Sequence, residues 1–140
     1  MSKQTSSNDP MVGTWKLNLS KSTYSPGPAP KSGISKFEPW EDGMKATIDM
    51  VDGRGNKIHS EAAVKFDGKD YPIKGSPIAD AVSVKRVTER QADIVWKKGG
   101  KVGMMGKSVI SADGRTTTVT QTGTDAQGRT VNNVAVYDKQ

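Results

Sequence analysis

From residue 33 onward the chain is punctuated by turn residues at roughly 8–12-residue spacing, the interval expected of consecutive β-hairpins. The connectors are Glu41-Asp42-Gly43, Asp52-Gly53-Arg54-Gly55, Asp67-Gly68-Lys69, Gly99-Gly100, Asp113-Gly114 and Asp125-Ala126-Gln127-Gly128. Each holds an Asp-Gly, a Gly-Gly or a type I turn ending in a glycine that accepts positive φ. Between them lie strand candidates at 33–39, 43–51, 57–66, 70–73, 81–88, 93–98, 101–110, 115–123 and 130–138, after a first strand at 12–19. No ten-residue window keeps a 3.6-residue period free of Gly, Pro or β-branched interruption. The pattern predicts an all-β chain, an antiparallel up-and-down barrel of about eight to ten strands.

The apolar composition agrees. There are 13 Val, 12 Thr and 7 Ile against 2 Leu, and β-branched side chains suit a pleated surface better than a helix. With 140 residues the chain is one domain long. No apolar run approaches the roughly 20 residues of a membrane-spanning helix. There is no Cys, which removes disulfides, thiolate metal sites and Cys nucleophiles. The lone His59 cannot supply a multi-His metal site, so neither a metal nor a cofactor is expected. The formal charge of +6 permits anionic partners, but the cations are dispersed, and nucleic acid is not expected as a partner. Lys97-Lys98-Gly99-Gly100-Lys101 is the local basic cluster, at a hairpin tip.

Alternation assigns faces. Gly13, Trp15, Leu17 and Leu19 share one side of the first strand. Met44, Ala46, Ile48 and Met50 face inward on 43–51, and Ile58, Ser60, Ala62, Val64 and Phe66 on 57–66. Later inward sets are Val82, Val84 and Arg86; Ile94 and Trp96; Val102, Met104, Gly106, Ser108 and Ile110; and Thr117, Val119 and Gln121. The last strand reads either way: Val131, Asn133, Ala135 and Tyr137, or Asn132, Val134 and Val136. His59 falls on the wet face with Asp49 and Glu61. Residues 1–10 read as a disordered polar tail. Residues 20–32, with prolines at 26, 28 and 30, read as an extended crossover anchored by Tyr24.

The opening Met11-Val12-Gly13-Thr14-Trp15-Lys16-Leu17 resembles the start of the calycins, the superfamily of lipocalins and fatty-acid-binding proteins. The C-terminal Val134-Ala135-Val136-Tyr137-Asp138-Lys139 resembles the end of the intracellular fatty-acid-binding proteins. The segments GTWKLNLSKS, DGKDYPIKGSP and NNVAVYDKQ are similar to those of small bacterial lipocalin-like proteins. The resemblance implies a calycin barrel whose Trp15 closes one end. Two departures stand out. The helical lid gives way to the Pro-rich stretch, and the Arg-x-Tyr carboxylate clamp becomes Ala135-Val136-Tyr137.

The expected function is binding of a small apolar or amphipathic molecule inside the barrel, by a monomer that is cytoplasmic or exported with its signal removed. The candidate lining is Trp15, Phe37, Met44, Ile48, Phe66, Val84, Arg86, Trp96, Met104, Gln121, Asn133 and Tyr137. Arg86 or Tyr137 would orient a polar head. Two other readings stay open. One is a barrel-hosted cyclase or isomerase using Tyr137 or Lys85 as its acid or base. The other is a barrel filled with side chains, acting as an interaction module.

Overall fold

A computed structural model describes residues 4–125 and 127–140. The strands are β1 (Gly13–Leu17), β2 (Thr23–Ser25), β3 (Ser32–Trp40), β4 (Gly43–Val51), β5 (Lys57–Val64), β6 (Asp67–Lys74), β7 (Ala81–Thr88), β8 (Gln91–Lys98), β9 (Lys101–Ile110), β10 (Thr116–Thr124) and β11 (Thr130–Lys139). From β3 to β11 every strand pairs with its sequence neighbour, and β1 pairs with both β3 and β11. The sheet is therefore a closed antiparallel meander. One surface faces inward, and the seam is thinnest between β5 and β6, which pair only at Glu61–Lys74 and Ala62–Ile73.

Ten strand positions are filled by eleven segments, because the first strand is broken. β1 pairs with Tyr137–Lys139 of β11 and β2 with Asn132–Val134 of the same strand. Between them Leu19–Lys21 form a 3-10 turn, which the Asn18 side chain caps by accepting from the Lys21 N–H. Two expectations change here. The first strand ends at Leu17, and Leu19 is exposed in the turn. The Pro-rich stretch begins with a strand, and its Pro28 then lies against Gly53 of the β4–β5 connection.

The other boundaries hold closely, and β4, β7 and β9 coincide with their predicted spans. One connector moves. Asp67-Gly68-Lys69 belongs to β6, and the chain turns at Lys65-Phe66 instead. One face assignment also fails. The β8–β9 register shifts between Trp96 and Lys97, pairing Lys97 with Val102. The shift at Gly103 breaks the alternation, so Val102 is exposed while Met104 stays inside. On β11 the inward set is Val131, Asn133, Ala135 and Tyr137, opposite the inward Gln121, Val119 and Thr117 of β10.

Buried apolar side chains gather at one end, formed by the β3–β4, β5–β6, β7–β8 and β9–β10 connections. Met11, Trp15, Val64, Val84, Ala92 and Ile110 pack together there. The N-terminal segment closes this end, contrary to the expectation of a disordered tail. The Thr5 N–H donates to the Glu41 carbonyl, and Asp9 receives two hydrogen bonds from Arg86, at 2.8 and 2.7 Å. Residues 1–3 of that stretch lie outside the described residues.

Candidate functional site

Cross-strand registers stack the inward side chains into rows. Trp15, Ser35, Ile48 and Ser60 form one row. Tyr71, Val82, Trp96 and Met104 form another. Ile94, Gly106, Gln121, Asn133 and Tyr24 form a third. Burial along these rows is graded. Trp15 and Val84 are 2% and 4% exposed, but Ile48, Ile94, Trp96, Met104, Gln121 and Asn133 are only half-buried. Side chains on the inner wall of a closed barrel keep accessible surface only where the interior itself is accessible. The total agrees: the chain exposes 8243 Å², against about 7,000 Å² for a compact protein of this mass.

The candidate residues thus separate into two groups. Trp15, Phe66, Val84 and Arg86 belong to the closed end. Ile48, Met104, Gln121 and Asn133 line the half-buried interior, and Phe37, Met44, Trp96 and Tyr137 are half-buried residues packed against the closed-end core. Trp15 buries its indole Nε1 without a hydrogen-bond partner, under the Lys139 ammonium 5.6 Å from the ring centroid.

Arg86 does face inward, as its parity implies, but its guanidinium is engaged. It forks onto the Asp9 carboxylate, donates to the Thr88 and Glu89 carbonyls, and lies 5.0 Å from the Phe66 ring centroid. The anionic partner expected from a ligand is supplied by the chain. Burial alone would raise the Asp9 pKa. The Arg86 hydrogen bond, the Met11 N–H and the guanidinium charge overcome this and hold it below the usual carboxylate value.

Polar groups on the inner wall concentrate around β11. The Asn133 amide donates to Gln121 Oε1 at 3.2 Å and its Oδ1 accepts from the Ser25 N–H. Burial raises the Tyr137 pKa, which the neighbouring Ser35 hydroxyl partly offsets. Burial and the adjacent Tyr137 raise Tyr24 as well. Both phenols stay protonated at neutral pH, so Tyr137 is a hydrogen-bond donor and a poor general base. Lys85 is exposed, with its strand partners Asp67 and Asp93, outside the interior. Tyr24 and Ser35 were absent from the expected lining. Tyr24 lay in a stretch read as crossover, and Ser35 is a small hydroxyl that alternation alone does not mark.

Other candidates are surface features. His59 is exposed on the outer wall, with Nδ1 2.6 Å from Asp49 and Nε2 3.0 Å from Glu61. Those two carboxylates raise its pKa through hydrogen bonds and charge. Asp52 binds the Arg54 and Asn56 N–H groups, an Asx turn and not a calcium loop. Among the described residues no cluster of His, Asp and Glu is arranged for a metal ion, and no helix is long and apolar enough to cross a membrane. In the basic hairpin Lys97 pairs with Asp70 and Lys98 donates to the Pro77 carbonyl.

No protein-family model matches the sequence, and no curated protein matches it. Solved structures do match the fold. The zebrafish ileal bile acid-binding protein, solved with cholic acid, superposes with a TM-score of 0.55 over 94% of this chain and 99% of that one, at 14% identity. The siderocalin Ex-FABP covers 94% of this chain and 74% of its own, with a TM-score of 0.42 and 12% identity. The closed up-and-down barrel implied by Gly13-Thr14-Trp15 and by the C-terminal strand is the fold of this chain, and it is shared with the zebrafish protein.

Proposed function

We propose that this chain binds a small apolar or amphipathic molecule in the barrel interior, entering at the end opposite the Trp15 plug. The observation that carries this reading is the graded burial of the inner wall. One end is sealed by packed apolar side chains, while the inward Ile48 and Met104 are only half-buried, as are Ile94 and Trp96 where they pack against that end. Ligand sites of this kind pair an apolar lining with a few polar groups, and Gln121, Asn133, Tyr24 and Tyr137 are placed to be those groups. Trp96 and Met104 would cover the apolar body. Met is flexible and polarizable, and accommodates ligands of varied shape. The zebrafish neighbour, which shares the fold, was solved in complex with cholic acid. A barrel filled by its own side chains would leave the inner rows as buried as Trp15. The chain acts as a monomer in this reading, because the sheet closes on itself through β1 and β11 and so offers no free terminal strand along its length.

The test is a titration with N-phenyl-1-naphthylamine, an uncharged dye that brightens in apolar surroundings. Saturable one-site binding with quenching of Trp96 is expected, and Trp96→Ala should weaken it about tenfold, the effect of losing one large apolar contact. A cooperatively folded protein that gives no saturable signal would refute the reading.

A further inference from the structure

We propose that the interior selects ligands whose polar head is uncharged, such as an alcohol, ketone or ester, and discriminates against carboxylates. This rests on the ligand-binding reading above and adds the chemistry of the head group.

The inference follows from where the charges stand. A carboxylate taken out of water needs a paired counter-charge in return, and hydrogen-bond donors alone repay only part of that cost. Among the described residues, the cations whose registers turn them inward stand at the ends of the barrel. Arg86 is closed onto Asp9 by two hydrogen bonds, and its remaining donors go to Thr88 and Glu89. Lys139 is exposed, over the outer side of the Trp15 plug. At the opposite rim Lys98 and its strand partner Lys101 are exposed, with the Lys98 ammonium on the Pro77 carbonyl. Between these ends the polar inner wall consists of phenols, hydroxyls and amides: Tyr24, Tyr137, Ser35, Ser108, Gln121 and Asn133.

That set matches a neutral head. Tyr137 and Tyr24 are held protonated by burial, so each offers one O–H. Gln121 and Asn133 already bond to each other, and each amide keeps capacity to donate and accept. A hydroxyl or carbonyl can exchange such bonds at little net cost, because neither partner is charged. A carboxylate would meet donors without a counter-charge.

Matched probes decide the point: 1-dodecanol and dodecanoate, each displacing N-phenyl-1-naphthylamine at pH 8, where the acid is fully ionised. The alcohol is expected to compete at least tenfold more tightly than the carboxylate. Tyr137→Phe should lose several-fold in dodecanol affinity and leave dodecanoate nearly unchanged. Gln121→Arg, which adds a cation to the half-buried wall, should raise dodecanoate affinity at least tenfold and invert the order. Its folding is checked by thermal melting, and Tyr137→Phe stands alone if it does not fold. Equal or tighter displacement by dodecanoate from the unmodified protein overturns the selectivity and leaves the binding site standing. Failure of the dye to bind at all overturns the site itself, and the selectivity with it.

Discussion

The Asp9–Arg86 pair sets how the barrel is sealed. Both side chains are largely withdrawn from solvent, at 14% and 21% exposure, and the fork geometry satisfies two guanidinium donors at once. Removing the arginine leaves a carboxylate in a partly buried place with no counter-charge, and it also strips the cover from Phe66. Arg86→Ala is therefore expected to lower unfolding free energy by about 2 kcal/mol, measured by urea denaturation. A loss no larger than an ordinary surface substitution would mean the N-terminal segment contributes nothing. The pH dependence has a definite sign. Asp9 has a depressed pKa in the folded state, so its contribution is present above the unfolded value near 3.9 and is lost as pH falls through the folded value. The stability gap between the parent and Arg86→Ala should narrow below about pH 4. Arg86 illustrates what alternation can and cannot say. Parity with Val82 and Val84 placed it inside, but its partner came from residues whose polar composition resembles a disordered tail. Nothing local in Ser-Ser-Asn-Asp-Pro marks Asp9 as the member that folds back 77 positions away.

At the scale of strands, hairpin chemistry was the strongest signal in the chain. Gly43, Gly99-Gly100 and Gly114 end or begin strands close to the expected boundaries. Irregularities within strands were harder to read, because a bulge or a broken strand changes register without changing composition. Gly103, where β9 shifts against β8, reads as an ordinary strand residue. The break at Leu19–Lys21 is written only in a capping asparagine, and β2 lies beside prolines that argue for irregular chain. Gly106 carries the clearest steric requirement in the middle of a strand. A Cβ there would run into the Thr120 carbonyl and stand 3.2 Å from the Trp96 ring. Gly106→Val should cost about 3 kcal/mol as an overpacked inner-wall position, read as a fall in melting temperature. Gly103→Val, whose added Cβ would find its nearest neighbour, the Trp96 carbonyl, at 3.8 Å, should cost clearly less. Equal losses at the two sites would show that strand propensity, not the collision, is limiting.

The whole molecule is a closed wall with one packed end and a half-buried inner wall beyond it, and its proposed function lies in that asymmetry. Trp15, Val64, Val84, Ala92 and Ile110 supply the apolar burial that holds one end, and in the proposed reading the other half of the inner wall receives the ligand. The fold was legible because closure and alternation are both period-two statements. Accessibility of the interior was not, since the same inward residues fit a filled or an open barrel. The methionines give the most direct test of where a ligand sits. Met44 and Met104 project inside, whereas Met105, the next residue along β9, is 55% exposed on the outer wall. With methyl-labelled methionine and solution NMR, adding saturating N-phenyl-1-naphthylamine should shift the Met104 methyl signal and leave Met105 in place. A shift confined to Met105, with Met44 and Met104 unmoved, would put the ligand on the outer wall and contradict the account.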